Sequence, residues 1–450
     1  MPEYDLILHG GMVVGEYSSE ILDIGIDNGV ITAIGKSLTG TSETSIDLTG
    51  YQIMPGGIDP HVHFNEPGRT DWEGWTSGSR ALAAGGATFA IEMPLNAHPP
   101  TLDRSSFERK RAAAEASSIV DFALWGGLTP TNVDRLEELA ECGVIGFKAF
   151  MSRSGTDDFT AADDFTLYKG MQKAADLGLL VAVHAESDVI TSGLAAEAIA
   201  ASRLSLRDYA QSRPIVAELE AVSRAIILAR ETGCALHVVH VSSGRAVALI
   251  AEARSAGVDI TCETCPHYLI FTEDDLAEVG NLLKCAPPLR DAMTLDSLWA
   301  TLLAGEIDMI SSDHSPAPPE LKTSTNAFAV WGGISGCQHL RSAMLTYGPK
   351  RHLAANDIVR LTSKAVAARF RLHGKGEIAV GFDADITWGV MQPDRAISAS
   401  EVAYRHSDSP WNGIPFNYRH LGTMIRGELV YRGGTFLQGP RARFVRPIAS

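Results

Sequence analysis

Eight short β-rich runs alternate with longer helix-like stretches through the middle of this 450-residue chain, and this alternation limits the choice of fold. The helix-like stretches are rich in Ala, Leu and Glu, and the clearest span residues 105–116, 132–141, 167–177, 217–231 and 244–256. The β-rich runs span residues 58–64, 88–93, 122–127, 144–150, 180–186, 236–241, 259–265 and 308–313. Eight strand–helix units predict an α/β fold, a parallel (β/α)8 barrel over residues 54–375.

An open, doubly wound sheet is the competing architecture for alternating strands and helices. When such a sheet binds a dinucleotide, its first strand is typically followed by Gly-x-Gly-x-x-Gly. No such motif follows the run at residues 58–64, so the dinucleotide-binding form of the open sheet is disfavoured.

Both ends of the chain are β-rich. Residues 1–53 contain short apolar runs and the sequence Asp27-Asn28-Gly29, which is typical of a hairpin turn. β character returns after residue 375, in residues 376–387 and 423–431. The simplest arrangement pairs the two ends, so we expect residues 1–53 and 376–450 to form one small β-sandwich domain beside the barrel.

Composition and charge exclude several kinds of partner. The chain carries a net charge of −16 and has no basic stripe, which argues against nucleic acid and anionic membranes. No apolar run is long enough to cross a bilayer, and the N-terminus lacks the features of a signal peptide. The six cysteines are scattered through apolar surroundings, as expected for reduced thiols in the cytoplasm.

Chemically useful side chains lie at the ends of the predicted strands, where (β/α)8 barrels build their active sites. His61 and His63 lie at the end of the first strand, and their imidazoles converge because alternate residues of a strand point the same way. The later strands contribute Lys148, His184, His240 and Asp313. Four histidines, one lysine and one aspartate at one mouth indicate a metal site.

Each of these residues, taken alone, also has an ordinary structural explanation. A single histidine at a strand end is often a buried side chain that its neighbours satisfy, and Asp313 would serve as a helix N-cap. His237 lies at the other end of its strand, so we expect a structural role for it. Glu186 and Glu263 fit two roles equally well, as residues that orient the ligands and as simple ion-pair partners.

Lys148 lies between aromatic residues in the stretch from Gly146 to Phe150. If its amine is buried, the pKa of Lys148 is lowered and the amine becomes neutral. Alternatively, the amine remains charged because it pairs with an acidic residue or reaches solvent. A neutral amine reacts with carbon dioxide, and the resulting carbamate bridges two cations. The set then fits a binuclear hydrolase, in which two divalent ions lower the pKa of a shared water toward about 7. Asp313 would take the proton and pass it to the leaving nitrogen.

This set of side chains resembles the amidohydrolase superfamily, and more narrowly its cyclic amidases, which include dihydroorotases, hydantoinases (dihydropyrimidinases) and allantoinases. The resemblance covers nearly the whole chain. Several stretches are similar to the allantoinases in particular, namely residues 63–74, 91–96, 262–268, 312–316 and 329–334.

Departures from the related groups favour the allantoinases. Dihydroorotases typically carry Arg two residues after the second histidine, to hold a substrate carboxylate. This chain has Asn65 there, and Leu95 where they usually have Asn. Hydantoinases typically carry Tyr five residues after the lysine, and this chain has Arg153. The resemblance to hydantoinases implies that backbone groups near Ala286 and Trp331 hold the substrate ring.

The resemblance implies a cytoplasmic enzyme of purine breakdown that opens the hydantoin ring of allantoin to give allantoate. A hydantoinase or dihydropyrimidinase with an unusual pocket is the alternative. Zinc is the first choice for the two divalent ions, and cobalt, manganese, iron and nickel also suit the site. The implied ligands are His61, His63, N6-carboxylated Lys148, His184, His240 and Asp313.

Two further expectations concern assembly. Relatives of this kind are commonly homotetramers, so a homo-oligomer is expected. Some members of the superfamily have lost metal ligands and serve as assembly proteins in neuronal signalling. This chain retains every implied ligand, so an enzyme acting on a small cyclic ureide or amide is expected instead.

Overall fold

A computed structural model describes residues 3–439 and 441–448 of the chain. The N-terminal part forms five strands, which are β1 (Tyr4–Val14), β2 (Ser19–Asp27), β3 (Val30–Gly35), β4 (Ser42–Asp47) and β5 (Gln52–Pro55). β1 pairs antiparallel with β2, and β2 pairs antiparallel with β3. The β2–β3 turn contains Asn28 and Gly29, both with positive φ, which confirms the predicted hairpin.

Nine strand segments follow, and each is parallel to its neighbours. They are β6 (Gly57–Val62), β7 (Ala87–Glu92), β8 (Asp121–Leu124), β9 (Gly126–Gly127), β10 (Phe147–Phe150), β11 (Val181–His184), β12 (Leu236–Val238), β13 (Ile260–Thr264) and β14 (Met309–Ile310). β6–β8 form one sheet and β9–β14 form another. Only Trp125 separates β8 from β9, and a parallel bridge from Val62 to His314 closes the ring. The predicted (β/α)8 barrel is confirmed.

Helices lie between and after the barrel strands. They are α1 (Trp75–Ala84), α2 (Arg104–Ser117), α3 (Leu136–Cys142), α4 (Asp164–Asp176), α5 (Asp188–Ala200), α6 (Leu206–Gln211), α7 (Ile215–Thr232), α8 (Gly244–Ser255), α9 (Pro266–Ile270), α10 (Leu276–Val279), α11 (Ala292–Leu303), α12 (Leu340–Tyr347), α13 (Ala355–Val359) and α14 (Ala365–Arg369). The five predicted helical stretches correspond to α2, α3, α4, α7 and α8. Among the described residues, no helix has the length and hydropathy needed to span a membrane.

Alternation along β10 assigns its side chains to two apolar cores. Phe147 and Ala149 pack with helix residues such as Leu167 in the core between strands and helices. Phe150 belongs to a second core inside the barrel. Because Lys148 lies two residues before Phe150, it points to the same side, toward the barrel interior.

The C-terminal part returns to strands, which are β15 (Ile386–Ala396), β16 (Pro415–Ile425), β17 (Glu428–Arg432) and β18 (Thr435–Phe436). They extend the N-terminal strands into one nine-stranded sheet, in the order β18-β17-β16-β15-β5-β1-β2-β3, with β4 on β1. β15 pairs antiparallel with β5, where Trp388 lies opposite Ile53. The predicted β domain built from both chain ends is therefore confirmed, while its boundaries at residues 53 and 376 stay predictions.

A buried ion cluster ties this sheet to the barrel. Lys375 Nζ donates to Asp121 Oδ2 at 2.8 Å and to Asp385 Oδ2 at 2.6 Å, and it lies 2.8 Å from Asp383 Oδ2. Arg426 also pairs with Asp121. Because an ammonium group already lies among the three carboxylates, we interpret this cluster as a structural link between β8 and the end sheet.

Candidate metal centre

The first histidine pair meets Asp313 at the mouth of the barrel. His61 Nε2 lies 3.1 Å and His63 Nε2 lies 3.5 Å from Asp313 Oδ1. The other ring nitrogens donate hydrogen bonds, from His61 Nδ1 to Glu263 Oε1 at 2.6 Å and from His63 Nδ1 to the Leu95 carbonyl at 2.8 Å. Burial lowers the pKa of His61, so this ring is neutral and its Nε2 directs a lone pair at the carboxylate.

This arrangement suits a cation. One ligand atom from each of His61, His63 and Asp313 lies within 4.8 Å of the others. Lone pairs directed at a carboxylate oxygen repel it unless positive charge lies between them. Imidazole nitrogen and carboxylate oxygen are common ligands of first-row divalent metals. The three residues therefore fit one divalent ion.

His184 and His240 form a second pair beside the first. His184 Nδ1 lies 3.0 Å from His240 Nε2, and the ring centroids of His240 and His61 are 5.3 Å apart. His184 Nε2 donates to Glu186 Oε2 at 2.8 Å, which leaves its Nδ1 as the free nitrogen. Burial lowers the pKa of His184 and lowers that of His240 well below its usual value. The second pair therefore consists of neutral imidazoles.

The Lys148 amine is buried inside the barrel and has no hydrogen-bond partner among the described residues. Its Nζ lies 5.0 Å from the ring centroid of Phe150, which stacks on His184 at 4.6 Å. Burial lowers the pKa of Lys148 to about 7, although Glu263 and Asp313 act in the opposite direction. A large share of the side chain is thus a neutral amine at neutral pH, which is the form that reacts with carbon dioxide.

The structure brings the six predicted ligands to one mouth. The charge of Lys148 lowers the pKa of three of the four histidines, His61, His184 and His240, so the amine lies near both pairs. Two of the six residues have left-handed backbones, with φ of 39° at His240 and 45° at Asp313. Such values are uncommon for residues with a Cβ and are found preferentially at functional sites.

The two predicted substrate contacts lie in loops. Ala286 is partly buried, as is Trp331. The backbone N–H of Trp331 donates to the Leu321 carbonyl at 2.9 Å, and its carbonyl accepts from Lys322 Nζ at 3.0 Å. Its indole packs edge-on against Trp72 at 4.6 Å, and the indole Nε1 has no partner in the described structure. The indole N–H, rather than the backbone, is therefore the free donor of Trp331.

Two acidic residues whose roles the sequence left open lie directly behind the histidines. Glu263 also accepts from His237 Nε2 at 3.2 Å, and His237 does not itself join the ligand set. Glu186 accepts from Arg213 at 2.7 Å. No sequence pattern indicates Arg213, because it lies in the connection between α6 and α7 and meets Glu186 only in the folded chain.

Comparison with known proteins agrees with this geometry. The model of the Amidohydrolase family matches residues 52–430. An allantoinase from Rubrobacter xylanophilus is 54% identical over 448 residues, covering 99% of this chain and 98% of the relative. An allantoinase from Solibacter usitatus is 50% identical over 447 residues, with 99% and 98% coverage.

A solved structure gives the same result for the fold. The L-hydantoinase (dihydropyrimidinase) from Arthrobacter aurescens superimposes with a TM-score of 0.95 at 33% identity, covering 98% of this chain and 100% of that one. The similarity extends through the barrel and the end sheet alike. With these six side chains at the barrel mouth and its similarity to these hydrolases over nearly the whole chain, the chain belongs to the amidohydrolase family.

Proposed function

We propose that this chain is an allantoinase, which hydrolyses the cyclic amide of allantoin to give allantoate in purine breakdown. The observation that carries the proposal is the barrel mouth, where two histidine pairs, Asp313 and a buried lysine without a partner converge. The choice of allantoin as the substrate rests on the similarity to the two allantoinases described above.

The mouth fits two divalent cations. They would be held by His61, His63, Lys148, His184, His240 and Asp313, with N6-carboxylated Lys148 as the bridge and zinc as the first choice of metal. Two such ions supply a hydroxide nucleophile at neutral pH and polarise the substrate carbonyl. The lone pairs directed at Asp313 and the unpartnered amine of Lys148 support this ligand set.

Asp313 is the proton-transfer residue in this proposal. Burial opposes its ionisation, but the pKa of Asp313 nevertheless lies below its usual value, so it is a carboxylate at neutral pH. It accepts the proton of the attacking water and delivers it to the ring nitrogen as the carbon–nitrogen bond breaks. Water is thus added across one amide bond, and the ring opens to a carboxylate.

Substrate contacts and assembly are further parts of the proposal. Ala286 and Trp331 are assigned to the substrate pocket, and the free indole N–H of Trp331 provides a donor for a ring carbonyl. A homotetramer and a cytoplasmic location are proposed from the family resemblance.

A hydantoinase or dihydropyrimidinase is the second candidate, because the L-hydantoinase shares the whole fold. The stronger similarity to allantoinases argues against it. Arg153 also replaces the tyrosine that the resemblance leads one to expect in that group.

A substrate panel tests the proposal. Metal-replete protein is offered allantoin, hydantoin, dihydrouracil and dihydroorotate, and ring opening is followed. Preferential turnover of allantoin, abolished by a chelator and restored by metal, is the expected result. Preferential turnover of hydantoin or dihydrouracil would establish the second candidate. Protein that binds little metal and turns over none of the four would be a non-catalytic member.

A further inference from the structure

Two buried carboxylates hold the two histidine pairs from behind, one for each pair. Glu263 Oε1 accepts from His61 Nδ1 at 2.6 Å, and Glu186 Oε2 accepts from His184 Nε2 at 2.8 Å. Both carboxylates are fully or almost fully buried. Because each one fixes the protonated nitrogen of its imidazole, each also decides which nitrogen faces the mouth: Nε2 of His61 and Nδ1 of His184.

The two carboxylates differ in how their charge is compensated. Arg213 Nε donates to both oxygens of Glu186 at 3.2 and 3.1 Å, and its terminal nitrogen donates to Oε2 at 2.7 Å. Glu263 has imidazole partners instead, His61 and His237, and no lysine or arginine is bonded to it among the described residues. His61 therefore shares a hydrogen bond with an uncompensated anion, whereas His184 faces an ion pair.

We propose that Glu263 and Glu186 are positioning residues that act separately. Glu263 governs the cation position formed by His61, His63 and Asp313, and Glu186 governs the position formed by His184 and His240. A carboxylate behind a histidine fixes the ring and makes it a stronger donor, and this effect is greater where no cation offsets the charge. The first position therefore binds its ion more tightly than the second. This inference rests on the proposed metal-dependent function.

A cobalt(II) titration tests these roles directly. Metal-free full-length protein in bicarbonate buffer is titrated with Co²⁺, and the bound ion is followed by its visible absorption and by elemental analysis. We expect two equivalents in two phases. Glu263→Gln should weaken the tighter phase by roughly 10- to 100-fold and leave the weaker one in place. Glu186→Gln should weaken the weaker phase alone.

Reference variants assign each phase to a position. His61→Asn and His184→Asn each remove one ligand, so each should retain the spectrum of the other position. Glu218→Gln is the matched control, because this buried carboxylate accepts from Ser242 and Ser243 and, within the described part of the chain, from no imidazole. It should leave both phases unchanged.

Selective loss of one phase in each variant supports the inference. Equal weakening of both phases, no weakening, or a wild-type protein that binds no Co²⁺ would overturn it. Allantoin turnover by the same wild-type preparation separates the two proposals. If allantoin is turned over but neither variant loses one Co²⁺-binding phase selectively, only the positioning roles are overturned. If each variant loses one phase selectively but allantoin is not turned over, the positioning roles are supported and the assignment of allantoin as the substrate is overturned.

Discussion

Lys148 combines complete burial with the lack of a hydrogen-bond partner among the described residues. A charged ammonium in that setting is unfavourable, because desolvation removes its hydration and no anion is bonded to it. A neutral amine avoids this loss. A carbamate would avoid it as well if two cations shared its charge.

Replacing Lys148 with Ala should lower kcat by at least about 100-fold and reduce the metal content below two ions, because the bridge is lost. Acetate or propionate should restore part of the rate by filling the space left behind. Steady-state kinetics and elemental analysis measure both effects. Lys169→Ala, which removes an exposed lysine of α4, is the control. A Lys148→Ala protein with normal metal and normal rate would contradict the ligand set.

His339, which is not one of the predicted metal ligands, should make the free energy of unfolding sensitive to acid. Burial lowers its pKa to about 3 from a usual value of 6.5, while its Nδ1 contacts the Tyr404 hydroxyl at 2.9 Å. Between these two pH values the unfolded state binds a proton that the folded state does not. The free energy of unfolding should therefore fall as the pH is lowered from 6.5 toward 3, by up to about 1.4 kcal/mol per pH unit from this group.

Urea unfolding at a series of pH values measures that slope. His339→Gln should make the slope shallower, whereas the exposed His373→Gln should leave it unchanged. The same slope in all three proteins would show that His339 is not responsible.

At this scale the six side chains at the mouth were predictable, and Glu186 and Glu263 were open candidates for orienting them, but the remaining supporting partners had no sequence signal. His61 and His63 follow from strand alternation, and Lys148, His184, His240 and Asp313 follow from their places near strand ends. The Leu95 carbonyl that holds His63 has no sequence signal, since every residue carries one. Arg213 depends on the path of a loop that only tertiary contacts determine.

At the scale of elements, six of the eight β-rich runs extend beyond the ends of the barrel strands that they predicted. The run at residues 236–241 gives β12, which ends at Val238, and the run at residues 308–313 gives β14, which ends at Ile310. A left-handed backbone, which lies outside the β region, follows each of these ends within three residues, at His240 and at Asp313. Hydrophobic pattern finds strands, but it does not show where the backbone turns to present a ligand.

Lys375 links elements that are distant in the chain, because it bonds to Asp121 of β8 and to Asp385 just before β15. Lys375→Met should lower the free energy of unfolding by about 3–5 kcal/mol, since it leaves buried carboxylates uncompensated. Lys350→Met is the matched control, because its pair with Asp394 is half exposed, and we expect a change below about 1 kcal/mol. Equal losses in urea unfolding would contradict a structural role for the cluster.

For the whole molecule, the metal centre should contribute to stability as well as to chemistry. Without cations, the Nε2 atoms of His61 and His63 both lie close to the Asp313 carboxylate, and His61 directs a lone pair at it. Metal at about 1,000 times its Kd should stabilise the folded state by about 4 kcal/mol for each site. Thermal unfolding with and without a chelator should show a lower midpoint in the chelated sample, restored by added zinc. Identical midpoints would contradict tight binding to the folded state.

The pairing of β5 with β15 also affects how the chain is made. A ribosome releases β5 long before β15, which begins only at Ile386, so β5 leaves the tunnel with one edge uncovered. Unpaired edges of this kind promote association between unfinished chains. A polypeptide that terminates early never covers that edge, and it also lacks Arg426, the second cation beside Asp121. Incomplete products of this gene should therefore be recognised by chaperones and proteases, and only chains that extend through β15 cover this edge of β5.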